Sequence, residues 1–111
     1  MNPQIQNDFL KLIGIAITDQ RVIQIKHNSI WRTIEPYMAG LHKETQVPSL
    51  YGFCRDVIPT LYKENDERWQ IFRFTEIEDI ELTYYEFQPH LGYTGKYESI
   101  QPAYIKLAPR S

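Results

Sequence analysis

Cysteine is almost missing. Cys54 is the only one in 111 residues, so no internal disulfide can form and no thiolate zinc cage can be built. That scarcity fits a reducing compartment. Long apolar runs are missing too. The longest, "LIGIAI" at 12–17, falls far short of the roughly 20 residues a membrane-spanning helix needs. "MNPQIQN" lacks the basic start of an export signal. The expectation is a cytoplasmic protein with no membrane partner. Charge excess is also lacking: 12 Lys and Arg against 14 Asp and Glu give a net charge of −2, which excludes a global basic field drawing the chain to nucleic acid or anionic lipid. A local basic patch stays open.

Catalytic motifs are absent as well. No nucleophile elbow, phosphate-binding glycine loop or metalloprotease signature occurs. His27, His42 and His90 are scattered, without the spacing of a metal cluster. Glu76, Glu78, Asp79, Glu81 and Glu86 crowd one stretch, but strand alternation turns several of them to solvent. Cys54 lies in an apolar segment, where cysteines are usually inert core residues. The chain therefore reads as a non-enzyme, with no metal and no cofactor.

What is present is an ordinary globular composition, 42% hydrophobic and 23% charged, in a length that fits one domain. Ile5, Phe9, Leu12, Ile13 and Ala16 recur at three and four, which predicts a helix over 4–18. "RVIQIKH" (21–27) alternates, "HNS" turns, and "IWRTIEP" (30–36) completes a hairpin. Residues 39–48 read as polar and turn-like around Lys43–Gln46. "SLYGFCRD" (49–56), "WQIFRF" (69–74) and "IEDIELTYYEF" (77–87) read as three more strands, with a charged loop over 57–68. In the tail only "AYIKL" (103–107) looks regular. One helix followed by five short strands predicts a small, strongly curved antiparallel barrel, mainly β, capped by the helix. The predicted core is Ile23, Ile25, Leu50, Phe72, Phe74 and Ile80.

The aromatic and basic residues are the informative ones. On "WQIFRF", alternation puts Trp69, Ile71 and Arg73 on one face and Gln70, Phe72 and Phe74 on the other. On "SLYGFCR", Tyr51, Phe53 and Arg55 share a face. If those strands pair, an arginine stands beside aromatic rings, an arrangement that holds planar anions and bases. The same arginine can instead cover apolar surface with its stem.

The order of these motifs resembles a WYL domain. "RTIEPYMAG" (32–40) matches the family's arginine followed by "vePxxl"; "PSLYGF" (48–53) stands at the strand that names the family; "FRFTEI" (72–77) matches its aromatic-basic strand, and Phe87 its closing phenylalanine. The likeness runs from about Ala16 to Phe87, and the tail "LGYTGKYESIQPAYIKL" is similar to the ends of short standalone members. Pro48 and Ser49 replace the family's Trp and Tyr, and Thr75 and Glu76 its usual Asp and Arg.

The resemblance implies an Sm-like five-stranded barrel over 21–87 in a single domain spanning 1–111, with a C-terminal extension from 88. It also implies a bacterial regulatory module, of the kind found in phage defence, that senses a nucleotide or short single-stranded nucleic acid. The implied contacts are Arg32 and Arg73, with Tyr51, Phe53 and Gln70 beside them. A winged helix does not fit ahead of residue 16, so the resemblance implies a protein partner or a homo-oligomer. The competing expectation is a protein-interaction subunit with a degenerate ligand site, to which Pro48, Ser49 and Glu76 point. Glu76 is also close enough in sequence to Arg73 to repel an anion.

Overall fold

A computed structural model describes residues 3–57 and 68–109. The chain is mainly β, with one N-terminal helix, α1 (Pro3–Thr18), followed by β1 (Arg21–His27), β2 (Ile30–His42), β3 (Pro48–Cys54), β4 (Trp69–Arg73), a 3-10 turn (Phe74–Glu76), β5 (Ile77–Glu86) and β6 (Ile100–Lys106). Most of the predicted loop, residues 58–67, lies outside the described residues.

Helix α1 buries Phe9, Ile13 and Ala16 of the predicted stripe and adds Ile17, while Leu12 is half-buried and the Ile5 side chain lies outside the described residues. It stops where Gln20 takes a left-handed conformation (φ 54°), a common way of ending a helix. The β1–β2 turn is two residues, Asn28 and Ser29, both with positive φ. That is the type I′ geometry whose twist matches the flanking strands. The Ser29 backbone N–H donates to Glu78 Oε1 at 2.8 Å, which ties the turn to β5.

The strands form one antiparallel sheet in the order β4-β3-β2-β1-β5, with β6 added to β2. The sheet has six strands where five were predicted, and it is not closed. Its ends, β4 and β5, are consecutive in the chain but are not paired with each other. The largest departure from the sequence reading is β2. The sequence pattern predicts an end at Pro36, yet the strand runs on to His42. Proline has no N–H to give a ladder, so it is tolerated only where no partner needs one. Pro36 sits at such a place: β1 pairs with β2 no further than Ile34, β6 begins at Met38, and a bulge against β3 falls between Pro36 and Met38. One long strand thus serves β1 with its first half and β6 with its second.

Two glycines make close approaches possible. A Cβ on Gly40 would collide with the Pro102 carbonyl oxygen as β6 lies across β2. One on Gly52 would fall 2.7 Å from Ile34 Cγ2 and 2.8 Å from the Glu35 carbonyl oxygen.

Side chains directly opposite one another on paired strands point to the same side. Ile23, Ile34, Cys54, Leu50 and Phe72 therefore share one face through the pairs Ile23–Ile34, Ile34–Cys54 and Leu50–Phe72. All are buried, as are Ile25, Phe74 and Ile80, so every residue of the predicted core lies inside. On β5 the alternation outruns the core. Tyr84 shares a phase with Ile80 but is 93% exposed, because it stands within the register shift between the Leu82 and Glu86 pairs with β1.

Candidate ligand site

The opposite face of the same strands carries Glu35, Phe53 and Trp69, linked by the pairs Glu35–Phe53 and Phe53–Trp69, together with Tyr51 two residues along β3. Such a set would be a sticky surface if left bare. Residues 87–99 cover it. Phe87 and Tyr93 are buried and pack against Tyr37, with ring centroids 5.4 and 4.7 Å away, while Trp69 meets Tyr37 at 4.8 Å.

Polar tethers hold this segment down. Glu35 is buried, and a buried carboxylate must be paired. Its Oε2 accepts from Arg55 Nε at 2.8 Å. Its Oε1 accepts from the Tyr37 hydroxyl at 3.2 Å and lies 3.1 Å from His90 Nε2. The His90 backbone N–H donates to Tyr37 Oη at 3.0 Å, and Tyr93 Oη–H donates to the Leu107 carbonyl at 2.7 Å. Burial, the main cause in each case, pushes the Tyr93 phenol up to about 12 and raises Tyr37 and Tyr51 above the usual tyrosine value. These hydroxyls are neutral near pH 7, as donors and as packing surface.

Between the covering segment and the strands lies a cavity of about 310 Å³, at the lower end of the ligand-pocket range. Tyr51, Phe53 and Trp69 supply its aromatic lining; Arg68, His90 and Lys96 supply its nitrogen-bearing groups. The Arg68 guanidinium sits over the Phe53 ring, 5.0 Å from its centroid, and the His90 ring is 4.2 Å from Phe53. Trp69, Tyr51 and Tyr97 form a run of stacked rings, with centroids 5.4 and 3.9 Å apart. Cationic groups over an aromatic lining suit a planar ligand bearing negative charge. Among the described residues no group of three or more His, Cys, Asp or Glu is placed to hold a metal, and no helix is long and apolar enough to cross a membrane.

Of the five residues singled out in the sequence, the cavity takes Tyr51 and Phe53. Gln70 is half-buried opposite Gly52, and Arg32 stands opposite Ile25 in the β1–β2 hairpin; neither lines the cavity. Arg73 does share its strand face with Trp69, but its register partner is Ser49, at the far end of β3 from Phe53. Its Nη1 lies 3.9 Å from Glu76 Oε1, while Glu76 Oε2 is 3.5 Å from His27 Nε2. The charge that interrupts "FRF" is thus exposed and locally countered.

The arginine over the aromatic ring is Arg68, one residue ahead of β4. Sequence reasoning missed it, along with His90, Tyr93 and Lys96. The available signal was the alternation of aromatic and basic residues in "HLGYTGKY" (90–97), a stretch with no regular secondary structure of its own. Compared with known proteins, the chain matches no family model, no curated protein and no solved structure, so the WYL likeness rests on the motifs alone.

Proposed function

We propose that this protein is a non-enzymatic binding module, a WYL-like and Sm-like domain of the cytoplasm that takes a nucleotide or a short single-stranded nucleic acid and passes the bound state to a partner. One observation carries the reading: Arg68, His90 and Lys96 converge on a cavity lined by Tyr51, Phe53 and Trp69. Guanidinium and ammonium groups supply charge-assisted donors to phosphate. Aromatic rings supply the sequence-tolerant stacking that holds bases. Glu35, itself buried and paired, orients the His90 ring at the cavity wall.

The test is a titration of fluorescently labelled nucleotides and short oligonucleotides at low salt, using wild type and Arg68→Gln. Loss of a charge-assisted contact is expected to weaken binding about tenfold. Equal binding by both proteins would exclude Arg68 as the contact, and no binding by either would reject the reading.

A second reading, a protein-interaction subunit, draws support from β5. It stands at one end of the sheet order and exposes the consecutive residues Tyr84 and Tyr85, at 93% and 73%. An exposed aromatic pair on an edge strand is a feature of surfaces that add a partner.

A further inference from the structure

The covering segment has a second side. Beyond it lies another cavity, about 430 Å³, lined by Met38, Tyr97, Glu98, Ile100 and Lys106 among others. Lys96 lines both cavities. Tyr97, which lines the second, stacks at 3.9 Å on Tyr51, which lines the first. The two cavities thus meet at Lys96 and at the stacked pair Tyr51–Tyr97.

Their electrostatics differ. Among the described residues, the first cavity is lined by Arg68, His90 and Lys96 with no carboxylate, although Glu35 stands behind His90, 3.1 Å from its Nε2. The second sets Glu98 against Lys96 and Lys106 and adds the apolar surface of Met38 and Ile100. Glu98 offsets one of those positive charges and can accept a hydrogen bond from a sugar hydroxyl or an exocyclic amine. Negative charge is thus best held in the first cavity and at Lys96, whereas the second suits a less charged, partly apolar group.

We infer that the two cavities are successive subsites for a ligand of at least two nucleotide units, with the linking phosphodiester at Lys96 and the second sugar and base in the cavity with Lys106. This rests on the proposed function of the first cavity and narrows it: the ligand class is a dinucleotide or longer single strand rather than a mononucleotide.

The experiment compares a 5′-phosphorylated mononucleotide, the corresponding dinucleotide and a hexanucleotide at low salt against wild type, Lys96→Ala and Lys106→Ala, with thermal melting to verify folding. Lys106 is exposed, so its truncation should leave the fold intact. The dinucleotide should bind about tenfold more tightly than the mononucleotide, the gain expected from one further stacked base. Lys106→Ala should remove most of that gain and leave mononucleotide binding unchanged, whereas Lys96→Ala should weaken both. Equal affinity for the mono- and dinucleotide, or a Lys106→Ala effect that is the same for both, would overturn the two-subsite inference while leaving the first cavity's role standing. Binding of none of the three ligands would overturn both.

Discussion

The two faces of the sheet solve different problems with different side chains. The helix-side face is largely aliphatic: Ile23, Ile25, Ile34 and Leu50, with Phe72, are sealed together with Ile13 and Ile17 of α1. The other face is aromatic and polar: Tyr37, Phe53, Trp69 and Tyr93, with Glu35 buried among them. Aliphatic side chains interdigitate to crystal-like density and leave few voids. Aromatic rings, edge-on around Tyr37 and stacked along Trp69, Tyr51 and Tyr97, leave spaces beside them, and here both cavities border that face. The contrast teaches that burial alone does not mark a core built only for stability. The aromatic side also buries polar groups, and it requires a covering segment whose own regular structure is slight.

The largest expected effect tests the aliphatic side. Phe72→Ala should lower stability by ~3–5 kcal/mol, read as a shift of the chemical-denaturation midpoint, with ligand affinity unchanged in the folded fraction. An unchanged midpoint would mean that Phe72 contributes no packing.

The aromatic side should respond to alkali. Tyr93 is raised in the folded state from 10.0 to about 12 by burial, so the unfolded chain releases its phenolic proton first. Its contribution is fully present below pH 10, is lost as pH rises from 10 to about 12, and levels off above that. Over this window the loss should reach about 2–3 kcal/mol, at ~1.4 kcal/mol per pH unit. Tyr93→Phe should flatten that part of the stability–pH curve, measured by urea denaturation between pH 9 and 12. An equal slope in both proteins would remove Tyr93 as the cause.

Glu35→Leu strikes the tether. Arg55 and His90 are each about 40% exposed at the side chain, so water partly replaces the lost carboxylate, and the expected cost is about 1–3 kcal/mol. The diagnostic reading is local: amide hydrogen exchange should accelerate over 87–93 more than in β1. Uniform acceleration would show that Glu35 supports the whole fold and not the covering segment in particular.

The smallest effect separates two arginines. Arg73→Gln should change stability by no more than about 0.5 kcal/mol and leave binding of a labelled nucleotide intact, whereas Arg68→Gln should weaken it. The reverse result would return the site to Arg73.

Much of the architecture was legible. The helix over 4–18 and the strands from residues 21, 49, 69 and 77 follow from periodicities of 3.6 and 2, and these report which side of an element is buried whatever it packs against. The sixth strand was only partly legible. Between Ile100 and Lys106 burial does not alternate: Gln101, Pro102, Ala103 and Tyr104 are all exposed. Its strand character comes from pairing with β2 and leaves no periodic trace. Pro36 misled for the complementary reason. Its missing N–H is costly only if a neighbour needs it, and whether one does depends on where β1 ends and β6 begins.

The candidate site divides in the same way. Alternation by itself determined that Tyr51 and Phe53 share a face and that Trp69 and Arg73 share another, because the face of a strand residue is a local property of the backbone. Only the tertiary structure decided which of these meet. Phe53 falls opposite Trp69 and Arg73 opposite Ser49, so the arginine named by the motif ends up beside Glu76, and the arginine before the strand ends up over the ring. Register, and the docking of His90, Tyr93 and Lys96 from a segment that has no period, are set by contacts between residues far apart in the chain. No local pattern encodes such contacts, because their free energy exists only once the partners have been brought together.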